Sequence, residues 1–217
     1  MRNRKRRLLA AAAIATAAVF AAPTAQADSA APMTNPAVPT AQEEPASADS
    51  SSLSSSVVAA KRLNITMQAQ QKSNWCWAAA GNTIAAYLGK NYSQNQFCNA
   101  AFNRQQGTEC PNNQATLGNV QTALRWMGVN QGSYVSGWLR YSTVQTEVNA
   151  NRPVETRIQW SNGGGHMHVI YGYDDARSWV YWGDPWPSSD RYNWASHSWY
   201  VNNSTFSWTH SLYRIGA

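Results

Sequence analysis

Cys76 stands between two tryptophans, Trp75 and Trp77, where loop-forming residues give way to a helical pattern. The first turn of a helix directs free backbone N–H groups and the positive end of the helix dipole towards such a sulfur. Both favour the thiolate over the thiol, and the thiolate is the nucleophile. The position of Cys76 therefore predicts nucleophilic chemistry.

A cysteine nucleophile needs a base, usually histidine, that a third polar group holds in place. His166 and His168 lie at the start of one predicted strand, and Asp184 follows the next strand. In an antiparallel hairpin, the start of the first strand lies beside the end of the second. We therefore expect Asp184 to orient a histidine base, with His166, beside the flexible Gly163-Gly164-Gly165, as the candidate and His168 as the alternative.

The N-terminus has the three parts of a secretory signal peptide, which predicts that residues 1–27 are removed and the chain is secreted. Basic residues come first, an apolar run from Leu8 to Ala22 follows, and Ala25-Gln26-Ala27 forms a cleavage site. The apolar run is too short for a stable membrane span, so we expect no membrane anchor.

Residues 28–59 are rich in alanine, serine and proline and contain no aromatic residue. Such a segment cannot bury enough surface to offset its ordering entropy, which predicts a disordered linker or pro-segment. Residues 60–217 hold every tryptophan and tyrosine and are long enough for one domain.

The high calculated isoelectric point is no argument for nucleic-acid binding. The predicted signal peptide contains five of the 17 basic residues and no acidic one, and the remainder is nearly neutral. We therefore expect no nucleic-acid partner. The expected partner is a protein or peptide substrate, and the expected state is a monomer.

The chain has three cysteines, and an exported protein meets oxidising conditions. Cys98 and Cys110 are close in sequence and flanked by loop residues, so they form the expected disulfide. Cys76 is then the unpaired thiol. The two pairings that would consume Cys76 remain alternatives.

The domain divides into a helical first part and a strand-rich second part. Ser73 or Asn74 could cap the helix that carries Cys76 and ends near Leu88, before Gly89. Capping boxes and apolar spacing predict further helices at 93–103, 116–127 and 142–151. Alternation predicts strands at 154–160, 166–173, 178–183, 198–201 and 206–213. This order predicts an α+β fold, with the Cys76 helix packed on an antiparallel sheet or half-barrel.

Three blocks of the chain carry a family resemblance. They are Gln70 with Cys76 six residues later, then Gly165-His166, and then Gly183-Asp184-Pro185-Trp186. In this order they resemble the papain-like cysteine peptidases, most closely the compact bacterial branch of AvrRpt2-type and C39-like peptidases. The resemblance implies the papain-like fold and a Cys76–His166–Asp184 triad. It also implies that Gln70 helps to form the oxyanion hole and that Trp186 shields the hydrogen bond between His166 and Asp184.

The same residues allow other interpretations. Cys76 could be a buried structural thiol, and Asp184 could be a turn residue before a proline. His166, His168 and Asp184 could instead bind a metal, but a metal site leaves Gln70 unexplained. We therefore expect neither a metal nor a cofactor.

The function expected from these residues is peptide-bond hydrolysis by a secreted cysteine endopeptidase. One alternative is a cell-wall peptide amidase or endopeptidase of the NlpC/P60 or CHAP type, which uses the same cysteine-then-histidine order. The other is a catalytically silent, aromatic-rich binding module. Gln70 and Trp77 argue against the first alternative, and the full set of chemical groups argues against the second.

Overall fold

A computed structural model describes residues 60–217. The predicted signal peptide and linker, up to residue 59, lie outside the described residues. The described part combines helices and an antiparallel sheet, which confirms the α+β prediction. Its helices are α1 (Cys76–Tyr87), α2 (Gln94–Ala101), α3 (Leu117–Trp126), α4 (Tyr141–Asn149) and α5 (His197–Val201). Its strands are β1 (Ala60–Arg62), β2 (Gln131–Ser136), β3 (Val154–Trp160), β4 (Gly165–Asp174), β5 (Trp179–Gly183), β6 (Tyr192–Ser196) and β7 (Phe206–Ile215).

Helix α1 is the central helix, and its residues from Trp77 to Ala85 are all buried. Small side chains allow this close packing. At Gly81 an added Cβ would lie 2.4 Å from the Phe97 ring of α2, so any larger residue would push the two helices apart. The helix ends where Gly89 adopts a φ of +80°, as predicted for a glycine stop.

Helices α2 and α3 begin with capping boxes, at Ser93 and Thr116 respectively. Helix α1 has no such cap: Trp75 is its N-cap residue, and no side chain accepts a hydrogen bond there. The prediction that Ser73 or Asn74 caps α1 is therefore wrong. Ser73 Oγ instead accepts a hydrogen bond from Asn112 Nδ2. This bond ties the loop before α1 to the loop that contains Asn112.

The strands form one antiparallel sheet in the order β2-β7-β3-β4-β5-β6, with β1 pairing with β4 beyond the end of β3. Strand β4 lies between β3 and β5, with Ile158 opposite His166 and Thr156 opposite His168. Residues two apart in one strand point to the same face, as do residues directly opposed across two antiparallel strands. His166 and His168 therefore share a face of the sheet, and α1 packs against β4.

Two parts of the aromatic C-terminal region differ from prediction. Residues 198–201, predicted as a strand, belong to helix α5, because Ser196 caps a helical turn by accepting from the Trp199 N–H. The strand on the other side of β5 from β4 is β6, at Tyr192–Ser196, and the sequence reasoning missed it. It also missed β2 and β1.

None of the helices within residues 60–217 has the length and apolarity needed to cross a membrane.

Candidate active site

Cys76 is the first residue of α1, and its thiol is partly exposed. The first intrahelical bond of this turn runs from Ala79 N–H to Trp75 O at 2.9 Å, so the preceding N–H groups lie at the open end of the helix. The flanking indoles fix the chain at this point. Trp75 Nε1 donates to Pro111 O at 3.0 Å, and Trp77 Nε1 donates to Asn113 O at 3.1 Å.

The loop that receives these two indoles is pinned by the Cys98–Cys110 disulfide, which links α2 to the residue before Pro111. This pairing agrees with the sequence prediction and leaves Cys76 as the free cysteine among the described residues. Lys72 reinforces the same junction, since its Nζ donates to Cys110 O and pairs with Glu109, both at 2.7 Å.

His166 lies between Cys76 and Asp184. Its Nε2 and Asp184 Oδ1 are 2.7 Å apart, and both side chains are buried. The Cys76 side chain acts on the same imidazole, since its charge and its hydrogen-bonding capacity help to raise the pKa of His166. Because Nε2 faces the carboxylate, Nδ1 is the nitrogen left for the sulfur. The structure thus brings together three of the four predicted site residues.

The local charges determine the proton on His166. Burial opposes the imidazolium, but the charge of Asp184 and its hydrogen bond, followed by those of Cys76, raise the pKa of His166 to about 10. Burial also acts against the Asp184 carboxylate, yet the His166 charge and hydrogen bond hold its pKa well below the usual range. At neutral pH His166 is therefore a cation, and an imidazolium beside a sulfur stabilises a thiolate.

Asp184 is held from several directions. Its Oδ1 also accepts from the Trp186 backbone N–H at 2.8 Å, and its own backbone N–H donates to Arg191 O at 3.1 Å. The Arg191 guanidinium in turn donates to the carbonyl oxygen of Asp184. These bonds fix the carboxylate at the end of β5, so it is more than a turn residue before Pro185.

His168 lies on the other side of the same carboxylate. Its Nε2 is 3.7 Å from Asp184 Oδ2, and its Nδ1 is 3.1 Å from the Tyr200 hydroxyl, which is 2.7 Å from Thr156 Oγ1. Burial above all, and then the charge of His166, lowers the pKa of His168 to about 3, so its ring is neutral. Cys76 influences the pKa of His166 and not that of His168, so His166 is the histidine assigned to the sulfur.

Two tryptophans enclose the His166 ring. Trp160 stacks on it with a centroid distance of 5.8 Å and an interplanar angle of 19°. Trp186 meets it edge-on at 6.2 Å and 81°. The resemblance pointed to Trp186, whereas the sequence reasoning missed Trp160. A tryptophan at the end of the strand that pairs with the His166 strand was the available signal.

Gln70 is buried in the loop before α1 and connects it to the Asp184 turn, since its backbone N–H donates to Pro185 O at 2.8 Å. Its side-chain Nε2 donates to the carbonyls of Lys72 and Ser73 at 3.0 and 2.8 Å. Its Oε1 is buried without a hydrogen-bond partner in the described part of the chain. The amide nitrogen therefore faces the loop carbonyls. Turning the amide over would set its oxygen against the same two carbonyls.

Glu155 is a buried carboxyl group that the sequence reasoning did not single out. It is completely buried on β3, opposite Val169 of β4 and Leu212 of β7, and neither side-chain oxygen has a hydrogen-bond partner within residues 60–217. Burial above all, and then the proximity of the Cys76 charge, raises the pKa of Glu155 well above its ordinary value. Burial close to the sulfur thus favours the protonated, neutral form of this carboxyl group. A lone acidic residue in a buried strand was the signal.

A metal ion would need the side chains that already bond to one another. The ligand atoms of His166, His168 and Asp184 lie within 4.8 Å of one another. Occupation by a metal would break the hydrogen bond between His166 and Asp184.

The sheet with a cysteine helix packed on it, and a histidine held between thiol and carboxylate, is the arrangement of a cysteine peptidase. Residues 59–205 match the family of the papain-like cysteine protease AvrRpt2, and the chain belongs to this family. It is accordingly a papain-like cysteine peptidase. No curated protein matches the sequence of this chain.

Solved structures with a similar fold include the peptidase domain of Streptococcus ComA, described as a bi-functional ABC transporter involved in a quorum-sensing pathway. That domain is 18% identical, with a TM-score of 0.51, and the match covers 72% of this chain and 98% of the domain. A double-glycine-motif protease from an AMS/PCAT transporter, solved in complex with the leader peptide, is 16% identical with a TM-score of 0.48. That match covers 72% of this chain and 95% of the other.

Proposed function

We propose that this chain is a secreted endopeptidase that uses Cys76 as nucleophile, His166 as acid and base, and Asp184 as the group that orients and charges the imidazole. The observation that carries the proposal is the position of His166, which is 2.7 Å from Asp184 and close enough to Cys76 for that side chain to raise the pKa of its ring. Secretion is supported by the signal-peptide pattern and by a disulfide, which forms and persists in oxidising surroundings.

Acylation follows from the protonation state described above. The Cys76 sulfur attacks the carbonyl carbon of a peptide bond and forms a C–S bond. The proton on His166 Nδ1 passes to the leaving nitrogen as the C–N bond breaks, which releases the amine product. Asp184 keeps the ring oriented by accepting from Nε2–H throughout this step.

Deacylation reverses the role of the histidine. His166, now neutral at Nδ1, takes a proton from water, and the resulting hydroxide oxygen attacks the thioester carbon. The C–S bond breaks, the carboxylic acid product leaves, and the protonated imidazole again faces the Cys76 thiolate. Atoms and charges balance with water as the other reactant.

Two donors serve the oxyanion in this proposal, the Cys76 backbone N–H at the open end of α1 and the Gln70 amide. A preorganised donor of this kind contributes about 3–4 kcal/mol to transition-state stabilisation. Gln70 Nε2 now donates to two loop carbonyls, so one of these bonds must be exchanged for the oxyanion when substrate binds. Catalytic hydrogen bonds commonly tighten only in the reacting complex.

The proposal is tested by digesting a peptide library and a panel of cell-wall peptides with the full chain and with Cys76→Ala. We expect peptide-bond cleavage by the wild type and none by the variant. Cleavage confined to the cell-wall peptides would instead favour the amidase alternative. Equal cleavage by Cys76→Ala would exclude Cys76 as the nucleophile.

A further inference from the structure

A cavity of about 430 Å³ lies between the start of α3 and the sheet, and none of the proposed catalytic residues lines it. One wall comes from the start of α3 and the residues before it, and the other comes from β2, β3 and β7. Its lining residues are Ala115, Thr116, Leu117, Tyr134, Arg157, Gln159, Thr209 and His210.

Each wall lies close to a residue that adjoins a proposed catalytic residue. Asn113, two residues before the cavity wall at Ala115, receives the indole N–H of Trp77, the residue after Cys76. On the other side, an added Cβ on Gly165 would lie 2.6 Å from the Arg157 guanidinium, so Arg157 packs on the residue before His166. A peptide bound at Cys76 and His166 can therefore extend towards this cavity.

Arg157 gives the cavity its charge. Its Nη1 donates to Thr209 Oγ1 at 2.8 Å and its Nη2 to Gln159 Oε1 at 3.0 Å, and both acceptors are neutral. Among the residues that the structure describes, no carboxylate lies within ion-pair distance of this guanidinium. A guanidinium has five N–H donors in a planar fork, so donor capacity remains for another acceptor.

The neighbours of Arg157 leave its charge uncompensated. Glu155 is two residues earlier on the same strand, but its oxygens have no hydrogen-bond partner among residues 60–217, and burial raises its pKa in favour of the neutral form. His210 shares Thr209 as a neighbour, and burial followed by the charge of Arg157 lowers the pKa of His210, which keeps that ring neutral. The cavity thus contains one half-buried cation and no anion of its own.

We infer that this cavity is a substrate subsite that binds a carboxylate of the bound peptide, with Arg157 as its receptor. A planar guanidinium matches a carboxylate through two parallel N–H···O bonds, which lysine cannot reproduce. Gln159 and Thr209 hold the fork in place, and Tyr134, half-exposed against the His210 ring, forms the outer wall. The inference rests on the proposed function and names its substrate class, a peptide with an acidic group near the scissile bond.

The test compares kcat/KM for peptides that carry glutamate, glutamine or lysine at each position around the scissile bond. We expect a preference for glutamate over glutamine of about tenfold or more at one position, because a charge-assisted pair is lost with glutamine. In Arg157→Met this ratio should fall to about one, and in Arg157→Glu lysine should become the preferred residue. Arg125→Met, a change on the exposed face of α3, should keep the wild-type ratio.

Blocking the peptide C-terminus distinguishes the two possible sources of the carboxylate, an acidic side chain and the free C-terminus. If C-terminal amides keep the preference, the subsite reads an acidic side chain, and if they abolish it, the subsite reads a free C-terminus. A wild-type ratio of about one at every position, with free and blocked C-termini alike, would overturn the inference. A ratio that survives in Arg157→Met would overturn it as well.

Calorimetry with the Cys76→Ala protein measures peptide binding at the subsite in the absence of cleavage. Acidic peptides should bind about tenfold more tightly than their glutamine counterparts, and the difference should vanish when Arg157→Met is added. If this difference appears while the wild type cleaves nothing, the peptidase proposal fails and the subsite stands. If the wild type cleaves peptides but binding shows no such difference, the subsite fails and the peptidase proposal stands.

Discussion

His166 and Asp184 are joined by a 2.7 Å hydrogen bond whose two side chains are only 6% and 8% exposed. Burial of this kind keeps water from competing for the bond, and the carboxylate charge acts on the imidazole at low effective dielectric. The bond therefore orients the ring and also holds its proton.

Replacing Asp184 by asparagine separates these two effects. The amide oxygen that Asp184→Asn introduces can still accept from Nε2–H, but the charge that raises the His166 pKa to about 10 is gone. A group with a raised pKa keeps its proton until the pH passes that value, so the alkaline limb of kcat/KM should move to lower pH in Asp184→Asn.

Asp184→Ala loses the orientation of the ring as well as the charge, and its kcat should fall by about 10² or more. Asp190→Asn, in the same loop, is the matched control and should leave the limb in place. Identical pH profiles for wild type and Asp184→Asn would contradict the assignment.

Glu155 should make the folded state less stable as the pH rises. The folded chain keeps the Glu155 proton above the ordinary carboxyl pKa, whereas the unfolded chain releases it. Stability that is fully present at low pH is therefore lost with rising pH, at up to about 1.4 kcal/mol per pH unit. Glu155→Met removes the titration and the unpaired oxygens. Between pH 5 and 8, the free energy of unfolding measured in urea should decline less steeply for this variant than for wild type. The control variant Glu109→Gln, at an exposed position, should show the wild-type decline. Parallel slopes for wild type and Glu155→Met would count against a buried neutral acid.

The disulfide should stabilise both the domain and the Cys76 segment. Cys98 and Cys110 close a loop across a sequence separation of 12, for which chain-entropy arguments give about 3 kcal/mol. The double variant Cys98→Ser/Cys110→Ser should lose stability of that order in urea unfolding. It should also react more slowly at Cys76, because the loop that receives the Trp75 and Trp77 indoles is released. Wild-type stability together with wild-type reactivity of Cys76 in the double variant would show that packing alone fixes the loop.

Much of the site could be predicted because each part is local in sequence. Cys76 is marked by its flanking tryptophans and the helix start, and His166 and Asp184 by the two ends of one hairpin. Strand β3 was predicted with its observed bounds, since alternation and Pro153 define it. The contacts that could not be predicted join elements far apart in the chain. Arg157 meets Thr209, 52 residues away, and Gln70 meets the Pro185 turn.

The C-terminal aromatic region shows why residues 198–201, predicted as a strand, form a helix instead. Alternating aromatic and polar residues are typical of strands, but in α5 the Ser196 cap bond and the burial of Tyr200 against Trp182 favour a short helix. Such a tertiary contact outweighs local propensity. The position of Trp160 on the His166 ring is likewise set by the pairing of β3 with β4.

The most direct measurement of the central claim is the rate at which iodoacetamide alkylates Cys76 near neutral pH. The assay compares wild type, His166→Ala and His197→Gln, a control histidine whose Nε2 bonds to Leu139 O. If His166 activates the sulfur, wild type and His197→Gln should react at least about tenfold faster than a free thiol, and His166→Ala should fall to the free-thiol rate. Alkylation of His166→Ala as fast as wild type, or of wild type no faster than a free thiol, would contradict it.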